Sequence, residues 1–116
     1  MGLKIQNFVT NVKDGVVTGN TAGTNVLSPK SGKRMTITSF VMQIYGVTSA
    51  GVVELVGEDG TKVSGQFYVD SDGLNVVKDA VRINLDTDEQ LRLVNGTDGN
   101  VRWIVYLEEL ASVDAG

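Results

Sequence analysis

The sequence predicts an all-β fold, an antiparallel β-sandwich of jelly-roll-like form with an extended N-terminal arm, and three observations predict its strands. Turn signals made of Gly, Asp, Asn and Ser recur about every ten residues. The runs between them are short and rich in Val, Ile, Thr and aromatic side chains. One run, Arg34 to Tyr45, extends for 12 residues without a glycine or proline, which suits the central strand of a sheet.

Residues 1–25 are rich in Gly, Thr and Asn, with scattered apolar side chains such as Leu3, Ile5, Phe8 and Val16. They read as an N-terminal arm or as short edge strands. A β-sandwich domain is expected over 26–110. Val26 and Leu27 open an apolar segment that Ser28-Pro29-Lys30-Ser31-Gly32-Lys33 turns, because proline lacks the N–H that a ladder requires. In the central strand the apolar positions change phase, from Met35 and Ile37 to Phe40, Met42 and Ile44. Side chains alternate with period two, so the change requires a bulge near Ser39 or burial of both faces.

Val52 to Val56 and Thr61 to Val69 flank Gly57-Glu58-Asp59-Gly60, and Asp-Gly between alternating runs is a strong hairpin signal. Asp70-Ser71-Asp72-Gly73 makes the next turn. Val81, Ile83 and Leu85 alternate with Arg82 and Asn84 as a half-buried strand, preferred to a helix over 76–85 because the segment is short and β-branched. After the polar turn Asp86 to Glu89, Leu91 and Leu93 alternate with polar residues. Asn95 to Asn100 reads as another hairpin closure. The last strand, Val101 to about Leu110, is apolar on both faces and belongs inside a sheet, and 111–116 reads as a flexible tail. The expected core comprises Ile37, Phe40, Met42, Leu55, Phe67, Ile83, Leu91, Leu93, Trp103 and Val105.

The length of 116 residues fits one domain. A net charge of -4 argues against nucleic acid and against an anionic membrane as partners, since both attract Lys and Arg. No apolar run approaches the ~18 residues of a membrane helix, and the N-terminus has no signal-like apolar region, so synthesis in the cytoplasm is expected. With no cysteine there are no disulfide staples, which makes self-association an attractive source of further burial.

The stretch from Val26 to Leu110 carries Val-Leu-Ser-Pro before Ser-Gly-Lys-Arg-Met-Thr-Ile, a Gly51 to Leu55 strand, Glu-Asp-Gly, Leu-Arg-Leu-Val-Asn-Gly-Thr and a closing Tyr-Leu-Glu-Glu. In this it resembles the small β-sandwich virion proteins of tailed phages, and in size the head decoration or cement proteins among them. The resemblance implies a jelly-roll-like fold, a homotrimer or similar cluster on the capsid surface, the major capsid protein as partner, and an N-terminal arm contacting a neighbour. On that reading the contacts are Leu3, Ile5 and Phe8 in the arm and the basic cluster Lys30, Lys33 and Arg34. A carbohydrate- or receptor-binding module of a phage fibre or tail is the alternative on the same fold.

An enzyme is not expected, and no cofactor or metal is assigned. Without histidine or cysteine, the Ser-His-Asp and Cys-His sites cannot be built. The carboxylates that could form a glycosidase pair, Glu54, Glu58, Asp59, Asp86, Asp88, Glu89, Glu108 and Glu109, fall mostly in turns or at strand ends, where solvated acids are ordinary. Gly32-Lys33 fails as a phosphate loop because Leu27 and Arg34 occupy positions that need Gly and Ser or Thr. Asp70 to Asn75 resembles the start of a calcium loop but lacks the later glutamate, so a plain turn is preferred. Asn95-Gly96-Thr97 is formally a glycosylation sequon, read here as turn chemistry. Tyr45, Tyr68, Trp103 and Tyr106 are candidates for a sugar platform or, more simply, for core and interface.

Overall fold

The computed structural model describes residues 11–111, with side chains as far as residue 109. The contacts expected of Leu3, Ile5 and Phe8, and the tail from residue 112 on, lie outside these residues. The strands are β1 (Asn11–Thr18), β2 (Thr21–Leu27), β3 (Lys33–Tyr45), β4 (Gly51–Gly57), β5 (Lys62–Val69), β6 (Leu74–Lys78), β7 (Ile83–Asn84), β8 (Leu91–Asn95) and β9 (Asn100–Ala111). There is no helix among the described residues.

Two antiparallel sheets pack as a β-sandwich. The first has the order β1-β9-β3-β6, with β7 also pairing with β3; the second has the order β2-β8-β4-β5. The ladders nest along the chain. β1 pairs with β9, β2 with β8, β3 with β6 and β7, and β4 with β5, while β3–β9 and β4–β8 knit these pairs into sheets. Residues 11–25 therefore form edge strands. β1 covers one edge of β9 from Asn11 opposite Leu107 to Thr18 opposite Asn100, and β2 runs straight through the boundary expected between residues 25 and 26.

The phase change in β3 is a bulge. Ile37 lies opposite Leu107 and Ser39 opposite Tyr106, which leaves Thr38 as the extra residue. Its backbone and side chain are both used: the Thr38 hydroxyl donates to the Tyr106 carbonyl at 3.1 Å, and the Thr38 carbonyl accepts from the Val81 N–H at 3.0 Å. With one residue looped out, Met35, Ile37, Phe40, Met42 and Ile44 all point inward and are fully buried. They meet Val53, Leu55, Leu91 and Leu93 of the second sheet and Val101, Trp103, Val105 and Leu107 of β9 in one core. Trp103 reaches under β1, where a Cβ on Gly15 would come within 2.9 Å of the indole, so the edge strand needs glycine at that point.

The expectation for the segment after β5 is corrected. The half-buried strand over Val81 to Leu85 shrinks to the two residues of β7, and a second strand, β6, forms before it along Phe40 to Ile44 of β3. Asn75 and Lys78 in β6 face solvent, so its apolar signal was weak; pairing with an already ordered β3 outweighs it. Of the expected core, Phe67 and Ile83 are only half-buried at its margin.

The closure expected at Asn95 to Asn100 is also corrected. β8 belongs to the second sheet and β9 to the first, so Gly96 to Gly99 is a crossing between sheets and not a hairpin. The buried Asn95 side chain makes the corner. Its Oδ1 accepts from the Thr97 N–H at 3.0 Å and the Thr97 hydroxyl at 2.7 Å, and its Nδ2 donates to the Gly99 carbonyl at 3.1 Å. The loop backbone is shared outward: Gly96 N–H donates to Val52, while Gly19 and Asn20 donate to Gly99 and Thr97.

Trp103→Ala should lower stability by about 3–5 kcal/mol, because a large buried side chain leaves a cavity, whereas Phe67→Ala should cost distinctly less. Denaturant midpoints for the two variants against the parent check this order; equal losses would place Phe67 in the core after all.

Candidate functional site

The turns gather at two ends of the sandwich. At one end lie the β2–β3, β4–β5 and β7–β8 connections, and these bring the expected basic cluster and most of the acidic candidates together. Lys30 is exposed, and Lys33 and Arg34 are half-buried at the start of β3. Acidic side chains tie this turn down. The Glu109 carboxylate accepts from the Lys30 N–H at 2.7 Å, Asp88 accepts from the Gly32 N–H at 2.7 Å, and the Asp88 N–H donates to the Lys33 carbonyl at 2.9 Å. Arg34 Nε is buried without a hydrogen-bond partner among the described residues.

Glu89 lies where the turn pattern does not predict it. Expected as a solvated turn acid, it is 1 % exposed. Its Oε1 accepts from the Asp86 N–H at 2.7 Å and the Thr61 hydroxyl at 2.9 Å, and its Oε2 accepts from the Asp59 N–H at 2.9 Å. It thus brackets the β7–β8 loop to the β4–β5 hairpin, a role helped by Gly57, where any Cβ would overlap the carboxylate. Glu58 adds a second tie, its Oε1 accepting from the Gln90 N–H at 3.0 Å while its own N–H donates to the Gln90 carbonyl. Glu54, another of the candidate carboxylates, is buried in β4 and paired at 3.4 Å with the exposed Lys62.

Carboxylate oxygens of Asp59, Asp86 and Glu89 lie within 4.8 Å of one another, a donor set of the oxygen type that hard cations use. Both Glu89 oxygens are already taken by loop donors, and Glu89 is too buried to face a substrate. Asp59 stays exposed, and its pKa is raised, first by desolvation against the loop and then by repulsion from Glu89, Glu58 and Asp86.

At the opposite end Asp98 performs the same kind of task. Its Oδ1 accepts from the Thr48 and Ser49 N–H groups at 2.7 and 2.8 Å, and Oδ2 bonds the Thr48 hydroxyl. These donors, the Ser49 N–H foremost, lower its pKa from 3.8 to about 2. Asp70 caps its own turn by accepting from the Asp72 N–H at 3.0 Å, so the calcium-like stretch is organised as a turn. Asn95 of the sequon is fully buried.

The four candidate aromatics are not brought together. Trp103 is core, Tyr68 is 74 % exposed on the second sheet, and Tyr45 and Tyr106 share the outer face of the first sheet. On β3 the positions opposite Tyr106 and at Tyr45 are Ser39 and Tyr45, roughly 20 Å apart at ~3.3 Å per residue. That outer face instead presents three rows across the strands: Val12–Tyr106–Ser39, Asp14–Ile104–Val41–Val77, and Val16–Arg102–Gln43–Asn75. A depression of about 270 Å³ opens there between Asp14, Gly15, Val16, Arg102 and Ile104.

Comparison with known proteins returns nothing: no protein-family profile matches the chain, and neither a characterised protein nor a solved structure matches it at a significant level.

Two tests follow from this geometry. Glu89→Ala should destabilise by about 1–3 kcal/mol, since three loop donors lose their shared buried acceptor; a denaturation midpoint unchanged from the parent would remove Glu89 from that role. Because the folded pKa of Asp98 is depressed, its contribution is present above the ordinary value of 3.8 and is lost as pH falls through about 2. The melting-temperature gap between the parent and Asp98→Asn should therefore narrow as pH is lowered across that window, and a constant gap would refute the linkage.

Proposed function

We propose that the chain is a non-enzymatic structural protein of a virion, which decorates the outer surface of a capsid and stabilises it, with the major capsid protein as partner. The observation that carries this reading is the use made of the carboxylates. Glu58, Asp88, Glu89, Asp98 and Glu109, which an enzyme could turn on a substrate, instead accept hydrogen bonds from loop backbone. The result is a rigid block whose loop ends are fixed by its own side chains. The nested ladders support the jelly-roll winding, an arrangement of two sheets used by viral capsid and lectin domains. The dispersed aromatics favour this reading over a sugar-binding platform. The proposed contacts are Leu3, Ile5 and Phe8 of the N-terminal arm together with the Lys30–Arg34 turn, whose exposed lysine suits an acidic shell surface.

A protein that binds only the assembled shell stabilises it by mass action, by about 2.7 kcal/mol per site at a hundredfold excess over the dissociation constant. Purified protein mixed with undecorated shells of its own virus should co-sediment with them and raise their disruption temperature. Lys30→Glu and a variant lacking residues 1–10 should each bind less. If the intact chain neither sediments with shells nor shifts their disruption, the decoration reading fails and a receptor- or sugar-binding role takes its place.

A further inference from the structure

We infer that the outer face of the first sheet is the contact between two copies of this chain. The face is more apolar than a solvated sheet needs to be. Val12, Val16, Val77, Tyr106 and Tyr45 are all exposed on it, Val77 at 60 %, and Ile104 and Val41 lie half-buried among them. Three strands with about eight residues each on this face and the five residues of β6, at ~3.3 Å per residue and about 4.8 Å between strands, give it roughly 450 Å² in projection. That is a little over half of the ~800 Å² per partner in a standard interface, the size of a weak dimer contact.

A second copy is the occupant because the face complements itself. The central row runs Asp14–Ile104–Val41–Val77, with Val12–Tyr106 on one side and Val16–Arg102 on the other. A two-fold axis along the central row stacks Ile104, Val41 and Val77 on their own counterparts. It also sets Val12 over Val16 and the Arg102 guanidinium over the Tyr106 ring of the other copy, twice by symmetry, as a cation–π pair. The depression beside Arg102 and Ile104 gives the opposing side chains room. The one like-charge apposition, Asp14 on Asp14, falls on the edge strand at the solvent rim, one row from Arg102.

This inference goes beyond the shell reading and stands without it, since it concerns the protein alone in solution. It predicts a dimer, where the resemblance to decoration proteins implies a trimer. Light scattering and sedimentation equilibrium of the full chain over roughly 1–100 µM, the weaker range for interfaces of standard size, should return the dimer mass. Val77→Glu and Arg102→Ala alter exposed side chains and should keep the parent's fold by circular dichroism, yet each should weaken association by about tenfold or more. Asp14→Asn should tighten it, and Tyr68→Ala, on the other sheet, should leave it unchanged. A monomer throughout, a trimer, or a dimer indifferent to Val77→Glu and Arg102→Ala would overturn the assignment.

Discussion

One extra residue in β3 sets the terms for everything packed around it. A strand of 13 residues that kept strict alternation would turn either Met35 and Ile37 or Phe40, Met42 and Ile44 to solvent. Looping out Thr38 keeps both sets inside, and the sandwich core is the result. The bulge also breaks the run of neighbours on the far side of β3. β6 pairs with Phe40 to Ile44 beyond the bulge and β7 with Thr36 and Ile37 before it, so the fourth position of the first sheet is filled in two pieces. Thr36, on the outer face, is covered by this arrangement and finds the Asn84 side chain at 2.7 Å.

The amino-acid pattern showed the change of phase, which a bulge near Ser39 or burial of both faces could explain, and it revealed the β4–β5 hairpin because Asp59-Gly60 is local turn chemistry. It could not reveal where side chains take over the work of backbone. Asn95-Gly96 has the composition of a tight hairpin, but whether its amide serves a turn or bridges two sheets depends on β4 and the β1–β2 turn, residues far away in sequence. Glu89 was unreadable for the same reason. Nothing in Asp86-Thr87-Asp88-Glu89 says which acid is buried; the donors on Asp59 and Thr61 decide it. The basic cluster was legible as a composition, while its fastening by Asp88 and Glu109 was not.

Acidic side chains carry much of the order at both ends. Glu89, Glu58 and Asp88 at one end and Asp98 at the other each accept from the backbone of a connection distant in sequence, in a chain without cysteine. Carboxylate-to-amide bonds are stronger than neutral ones, so they can hold loops that a small domain would otherwise leave loose. The charge carries a cost where anions crowd, as around Asp59.

The nesting of the ladders also governs the order of events when the chain folds. β9 is made after the other described strands, yet it lies between β1 and β3 and supplies Trp103 to the core. Until it arrives, the first sheet has two open edges and no centre, and the nested pairs join residues separated by most of the chain. Such non-local pairing is slow, because loop-closure entropy must be met before the contacts that reward it can form. Among the described residues, only the β4–β5 hairpin is local enough to organise early. The growing chain is therefore held in a state with exposed strand edges for longer than a helical domain of this size would be, and its yield in a cell becomes sensitive to temperature and to chaperone supply.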